Sequence, residues 1–140
     1  MDHSQTVVVK VPPTAAHLAV LRTAVGGVAA RYSFTLDQIS DLRLAVEEVV
    51  TQMLRHVPED SINGGPRGES PIEMAIVATS AGLEVRLSAQ VDAGGQVIDE
   101  SSFSWMILQM LADDVQVESR QSDTTVVLRA HRLSAAQDAE

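Results

Sequence analysis

The sequence predicts an α/β domain of the α+β kind: a two-layer sandwich in which a mixed, mostly antiparallel five-stranded sheet carries three helices on one face. Three observations lead there. Apolar residues alternate with polar ones in short stretches near the N-terminus, the middle and the C-terminus, and they recur at helical spacing between those stretches. The alternation over residues 72–87 is one-sided, so one sheet face is dry and the other wet. The order β-α-α-β-β-α-β-β contains no internal repeat and no dividing linker, which makes residues 1–140 one domain.

Residues 5–11 are β-branched and apolar and stop at Pro12-Pro13, which removes backbone donors; this is a strand at a sheet edge. Thr14 is a candidate N-cap for a helix running to Arg31, with Leu18, Leu21, Val25, Val28 and Ala29 at helical spacing. Gly26 and Gly27 weaken that helix but permit close approach of a neighbour. Thr35 and Gln38 open a second helix as a capping box, and Ile39, Leu42, Ala45, Val46, Val49, Val50, Met53 and Leu54 form its broad apolar face down to His56. Residues 57–70, rich in Pro, Gly, Asn and Ser, read as an exposed loop. Residues 72–77 and 83–87 alternate around Ser80-Ala81-Gly82, the pattern of an antiparallel hairpin. A second loop over 91–101 precedes a third helix, 103–112, whose face is expected to comprise Phe103, Met106, Ile107, Met110 and Leu111. Residues 115–117 and 124–130 make the last two strands, and a frayed polar tail follows from Ser134.

The composition, 45% hydrophobic, 21% charged and 3% aromatic, is that of a soluble globular domain. At 140 residues it removes roughly two-thirds of its unfolded surface from water, so it needs no covalent staple. The absence of cysteine excludes disulfides, thiolate zinc sites and cysteine nucleophiles. No basic segment followed by an apolar run opens the chain, and no apolar run approaches the length of a membrane span, so a cytoplasmic location without membrane insertion is expected. Nineteen acids against ten bases give a net charge of −9, which argues against nucleic acid as a ligand and favours a protein partner. Residues 1–35 hold Lys10, Arg22 and Arg31 against Asp2 alone, and so offer the basic surface of the chain.

Glu48 and Gln52 stand one turn apart on the second helix. Such a carboxylate and amide either hold a metal-bound water or a phosphate between them, or pair on a solvated helix face. His56 at that helix end serves as a cap to its dipole. His3, His17 and His131 lack metal-ligand spacing, and no Ser-His-Asp arrangement, P-loop or dinucleotide fingerprint is present.

The run 44–56, LAVEEVVTQMLRH, resembles the first nucleotide-box helix of the bacterial anti-sigma factor serine kinases of the RsbW and SpoIIAB type, members of the GHKL ATPase superfamily. The resemblance extends from Val7 to Arg129 with the same order of elements, and it includes Leu111-Ala112-Asp113-Asp114-Val115 after the third helix. The stretch SFSWMILQMLADDV is most similar to the actinobacterial branch, whose nucleotide boxes are degenerate. The family's catalytic glutamate falls on Glu48. Its magnesium-binding asparagine falls on Gln52, whose extra methylene displaces the amide oxygen by about one C–C bond, a shift that octahedral Mg²⁺ tolerates poorly. Asp92 and Gly94 are the nearest match to the second box, Asp-x-Gly-x-Gly, with Gln96 at its final glycine; strict alternation puts Ala89 at the aspartate position unless a bulge intervenes, and the segment reads equally as an acidic glycine turn. Ser102 and Ser104 stand where the third box presents bare glycine amides to phosphates. Thr124 matches the family's strand threonine near the adenine, although threonine is ordinary in any strand.

The resemblance implies an anti-sigma factor that binds and sequesters an alternative sigma factor and is released by an anti-anti-sigma antagonist. The alternative is an active kinase that phosphorylates an anti-anti-sigma protein with ATP and Mg²⁺. The departures at Gln52, Gln96 and residues 102–104 weaken ATP and magnesium binding without touching a docking surface, which favours sequestration. The family's partner-contacting arginine aligns with Arg22, which engages a partner carboxylate bidentately or serves as a solubilising surface charge. Family members dimerise through their sheets, and a homodimer is implied.

Overall fold

The period-two stretches pair into one sheet, and the helical stretches lie across its apolar face. The structure, a computed structural model, describes residues 5–57, 70–91, 97–120 and 122–132. These form β1 (Gln5–Val11), α1 (Leu18–Arg31), α2 (Leu36–His56), β2 (Ile72–Ala78), β3 (Gly82–Gln90), α3 (Phe103–Leu111), β4 (Asp114–Arg120) and β5 (Asp123–His131). The sheet order is β1-β2-β3-β5-β4, and every pairing among these strands is antiparallel. The two-layer class is the one predicted; its sheet is antiparallel throughout where the sequence allowed a mixed one.

Alternation sorts the sheet faces. Ile72, Met74 and Ile76 of β2, Val85 and Leu87 of β3, and Val126 and Leu128 of β5 are buried beneath the helices. The opposite face carries Glu84 and Arg86 of β3 and Arg129 of β5, joined by an ion-pair network that also takes in Asp114 and Glu118. Over the apolar face α1 packs on β1 and β2, α2 on β3 and β5, and α3 on β4. Leu21, Val25 and Ala29 of α1 and Leu42, Ala45, Val46, Val49, Val50 and Met53 of α2 complete one continuous core. Each large side chain so buried contributes about 1.5–3 kcal/mol.

The local signals resolve as follows. Thr14 does not cap a helix through its side chain: Ala15–His17 forms a 3-10 turn, Thr14 Oγ1 bonds His17 Nδ1 at 2.8 Å, and α1 begins only at Leu18. A Cβ on Gly26 would sit 3.2 Å from Arg43 Cδ, so close approach holds there, whereas Gly27 faces open space. The hairpin at Gly82 needs glycine, because a Cβ would lie 2.1 Å from the Ala130 carbonyl oxygen. Strand β4 runs well beyond 115–117, since β5 offers a ladder along the whole of Asp114–Arg120.

Helix α1 ends in a motif that the sequence did not announce. Phe34 N bonds Ala29 O at 3.1 Å and Ser33 N bonds Ala30 O at 3.3 Å, with Ser33 at φ 68°. Ser33→Gly relieves a side chain from the left-handed region and is expected to stabilise the fold by about 1 kcal/mol in urea titrations. The capping box of α2 forms as predicted: Gln38 N donates to Thr35 Oγ1 and Thr35 N to Gln38 Oε1, both at 3.1 Å. Thr35→Ala should cost about 1 kcal/mol by the same measurement.

Candidate functional site

Helix α2 has neighbours on both flanks, and its consecutive glutamates serve different ones. Glu47 turns to α1 and Glu48 to α3. Glu48 and Gln52 are half-buried at the border of the apolar stripe, and Gln52 Nε2 donates to Glu48 Oε2 at 3.2 Å. The same oxygen accepts the hydroxyl of Ser104 from α3. His56 Nδ1 bonds the Gln52 carbonyl at 3.0 Å, the capping role expected of it.

Ser104 reaches Glu48 because α3 is fixed at its start and its middle. Ser102 caps the helix, accepting from Trp105 N at 3.1 Å, and the Asp99 carbonyl takes Ser102 N at 2.8 Å. The backbone N–H of Ser101, together with its hydroxyl, holds the Asp99 carboxyl below its ordinary range. Leu108 is fully buried, with Trp105 and Leu111 packed beside it. The sequence placed Phe103, Met106 and Met110 on the inward face; they are 73%, 57% and 78% exposed. A nine-residue helix offers room for only a narrow contact, and Leu108, on the other side, occupies it.

Of the residues singled out from sequence, the structure gathers Glu48, Gln52 and Ser104, with Ser102 beginning the same helix. Thr124 is buried on the inner face of β5 opposite Ala89, and its hydroxyl meets Ser119 Oγ at 3.0 Å within the β4–β5 pair. Asp92, Gly94 and Gln96 lie outside the described residues.

The arrangement fits a magnesium nucleotide poorly. Magnesium takes oxygen ligands in near-octahedral geometry, but Gln52 directs its amide nitrogen to the carboxylate and Ser104 fills the adjoining position. The hydroxyl of Ser102 satisfies the Trp105 amide that a phosphate would otherwise meet. Among the described residues no group of three or more His, Asp or Glu is placed to hold a metal ion. What the cluster does chemically is join α2 to α3 by polar contacts made within the chain.

A second locus lies on the other flank of α2. Arg22 Nη1 meets Glu47 Oε1 at 3.1 Å with both side chains partly exposed, and Arg22 Nε is buried with no hydrogen-bond partner. Arg22, Ser40, Arg43, Leu44 and Glu47 line a small surface cleft. Sequence reasoning found Arg22 but missed Glu47, whose only signal is its place on the solvent side of Glu48.

This antiparallel sheet covered on one face by three helices is that of a histidine kinase-like ATPase domain, whose family model matches residues 11–130. The chain is 32% identical over 127 residues to anti-sigma-F factor RsbW of Mycobacterium tuberculosis, covering 86% of this chain and 70% of that protein. It is 22% identical over 144 residues to serine-protein kinase RsbW of Bacillus cereus, covering 92% and 87%. The solved structure of the RsbU and RsbW domains of Rv1364c from M. tuberculosis shares the fold, with a TM-score of 0.67 at 15% identity over 94% of this chain; the match spans 34% of that longer chain. The chain belongs to the RsbW-type branch of the histidine kinase-like ATPase family, the family its sequence resembles.

Proposed function

We propose that the chain binds and sequesters a sigma factor, and that an anti-anti-sigma protein releases it by competing for the same surface. One observation carries this reading: the carboxylate that phosphoryl transfer requires, Glu48, is engaged inside the chain by Ser104 and Gln52, while Arg22 keeps a guanidinium at the surface. Sequestration by occlusion needs the second feature and not the first. The name of one relative, anti-sigma-F factor RsbW, supports the same partner class. The working unit is residues 1–140 as a single domain, acting in the cytoplasm as a homodimer, with neither nucleic acid nor membrane as a ligand; no helix among the described residues is long and apolar enough to cross a membrane.

The kinase reading has the name of the relative serine-protein kinase RsbW and one structural observation in its favour. Glu48 already accepts a serine hydroxyl, the contact a general base makes with a serine nucleophile. Calorimetric titration with Mg·ATP, together with a phosphate-transfer assay on candidate antagonists, separates the two. The expected result is weak or undetectable binding and no transfer. Micromolar affinity, worth about 8 kcal/mol, with turnover abolished in Glu48→Ala, would establish the kinase instead.

A further inference from the structure

The exposed apolar face of α3 has no partner within the described chain. Phe103, Met106 and Met110 stand at i, i+3 and i+7, one above another along a helix about 13 Å long. Beyond Met110 the stripe continues into a groove between α2 and α3, lined by Gln38, Asp41, Gln109, Met110 and Asp113 among others. No Lys, Arg or His lines that groove. The sequence around it is one-signed: from Ser88 to Ser119 it holds Asp99, Glu100, Asp113, Asp114 and further acids, but no basic residue. Arg129 is held by Asp114 and Glu84 on the opposite sheet face.

We infer that this stripe and groove dock a cationic amphipathic helix of a protein partner. An apolar row at helical spacing matches the apolar row of another helix, with methionines that adapt to its shape, and the bordering carboxylates select Lys and Arg on its flanks. A second copy of this chain is disfavoured, because apposing two such faces sets Asp41 and Asp113 of one against the same acids of the other. An anionic membrane is repelled for the same reason. The inference goes beyond sequestration through Arg22: it requires no nucleotide, and it places a contact on the flank of α2 opposite Glu47.

The test uses two synthetic fourteen-residue amphipathic peptides, one of Leu and Lys and one of Leu and Glu, titrated into the full chain. The readout is the emission of Trp105, the single tryptophan, which sits on α3. The Leu/Lys peptide should bind with a spectral shift, and the Leu/Glu peptide should not. Phe103→Ser/Met110→Ser, which leaves Leu108 in place, should melt like the wild type and lose at least tenfold in affinity. Asp41→Asn should lose severalfold, and Glu73→Gln/Glu118→Gln on the far sheet face less than twofold. Equal binding by the Phe103/Met110 variant, or equal losses from acids on either face, overturns the inference by reducing the attraction to net charge. Sedimentation showing self-association, or binding to phosphatidylglycerol vesicles, that disappears in the same variant also overturns it by naming another occupant.

Discussion

Arg22→Ala is expected to weaken sigma-factor binding by about 2 kcal/mol, roughly 30-fold, while leaving the melting temperature almost unchanged. The two effects separate because the arginine sits differently in the two equilibria. In the folded chain its visible partner is Glu47 at 3.1 Å, and both side chains are partly exposed; such pairs are worth less than about 1 kcal/mol. In a complex the partly exposed guanidinium would be desolvated and paired with a partner carboxylate. Arg22→Lys should recover only part of the loss, since an ammonium cannot form the two-point contact. Glu47→Gln removes the intramolecular competitor and should leave binding at least as tight. Titrations of candidate sigma factors beside thermal melts of the same variants provide the measurement, and wild-type affinity in Arg22→Ala would exclude this residue from the interface.

The features legible from sequence are those written in short, repeated patterns. The capping box at Thr35 and Gln38 and the α2 stripe from Leu42 to Met53 form as expected, because each is decided by neighbours within one or two turns. The β2–β3 hairpin follows from alternation around Gly82, the one residue that fits against the Ala130 carbonyl. Helix α1 was harder to start, since Thr14 hydrogen-bonds a histidine ring in place of backbone amides. The polar site was only half visible. Spacing along one helix brings Glu48 and Gln52 together, but nothing local to Ser104 says that its hydroxyl crosses 56 positions of sequence to meet Glu48. Likewise the Arg22–Glu47 pair joins two helices and carries no one-dimensional period.

Leu108→Ala is expected to destabilise the fold by about 3 kcal/mol, and Met110→Ala by no more than about 0.5 kcal/mol. In sequence the two residues look equivalent, and helical spacing favours Met110, since nearly every position of residues 103–112 is apolar and the stripe can be drawn in more than one phase. The structure fixes the phase: Leu108 is fully buried and Met110 is 78% exposed. Truncating Leu108 removes the one side chain of α3 that is wholly inside the core, so the cost combines lost transfer energy with a cavity that a short helix cannot close. It should also loosen the start of α3, because Ser104 meets Glu48 only while that helix is seated. The expected signature is a fall in melting temperature of roughly 10 °C together with a red shift of Trp105 emission, neither of which Met110→Ala should produce. Equal losses in the two variants would mean that α3 packs in the phase suggested by sequence, with Phe103, Met106 and Met110 inward, and the docking face inferred for it would then be part of the core.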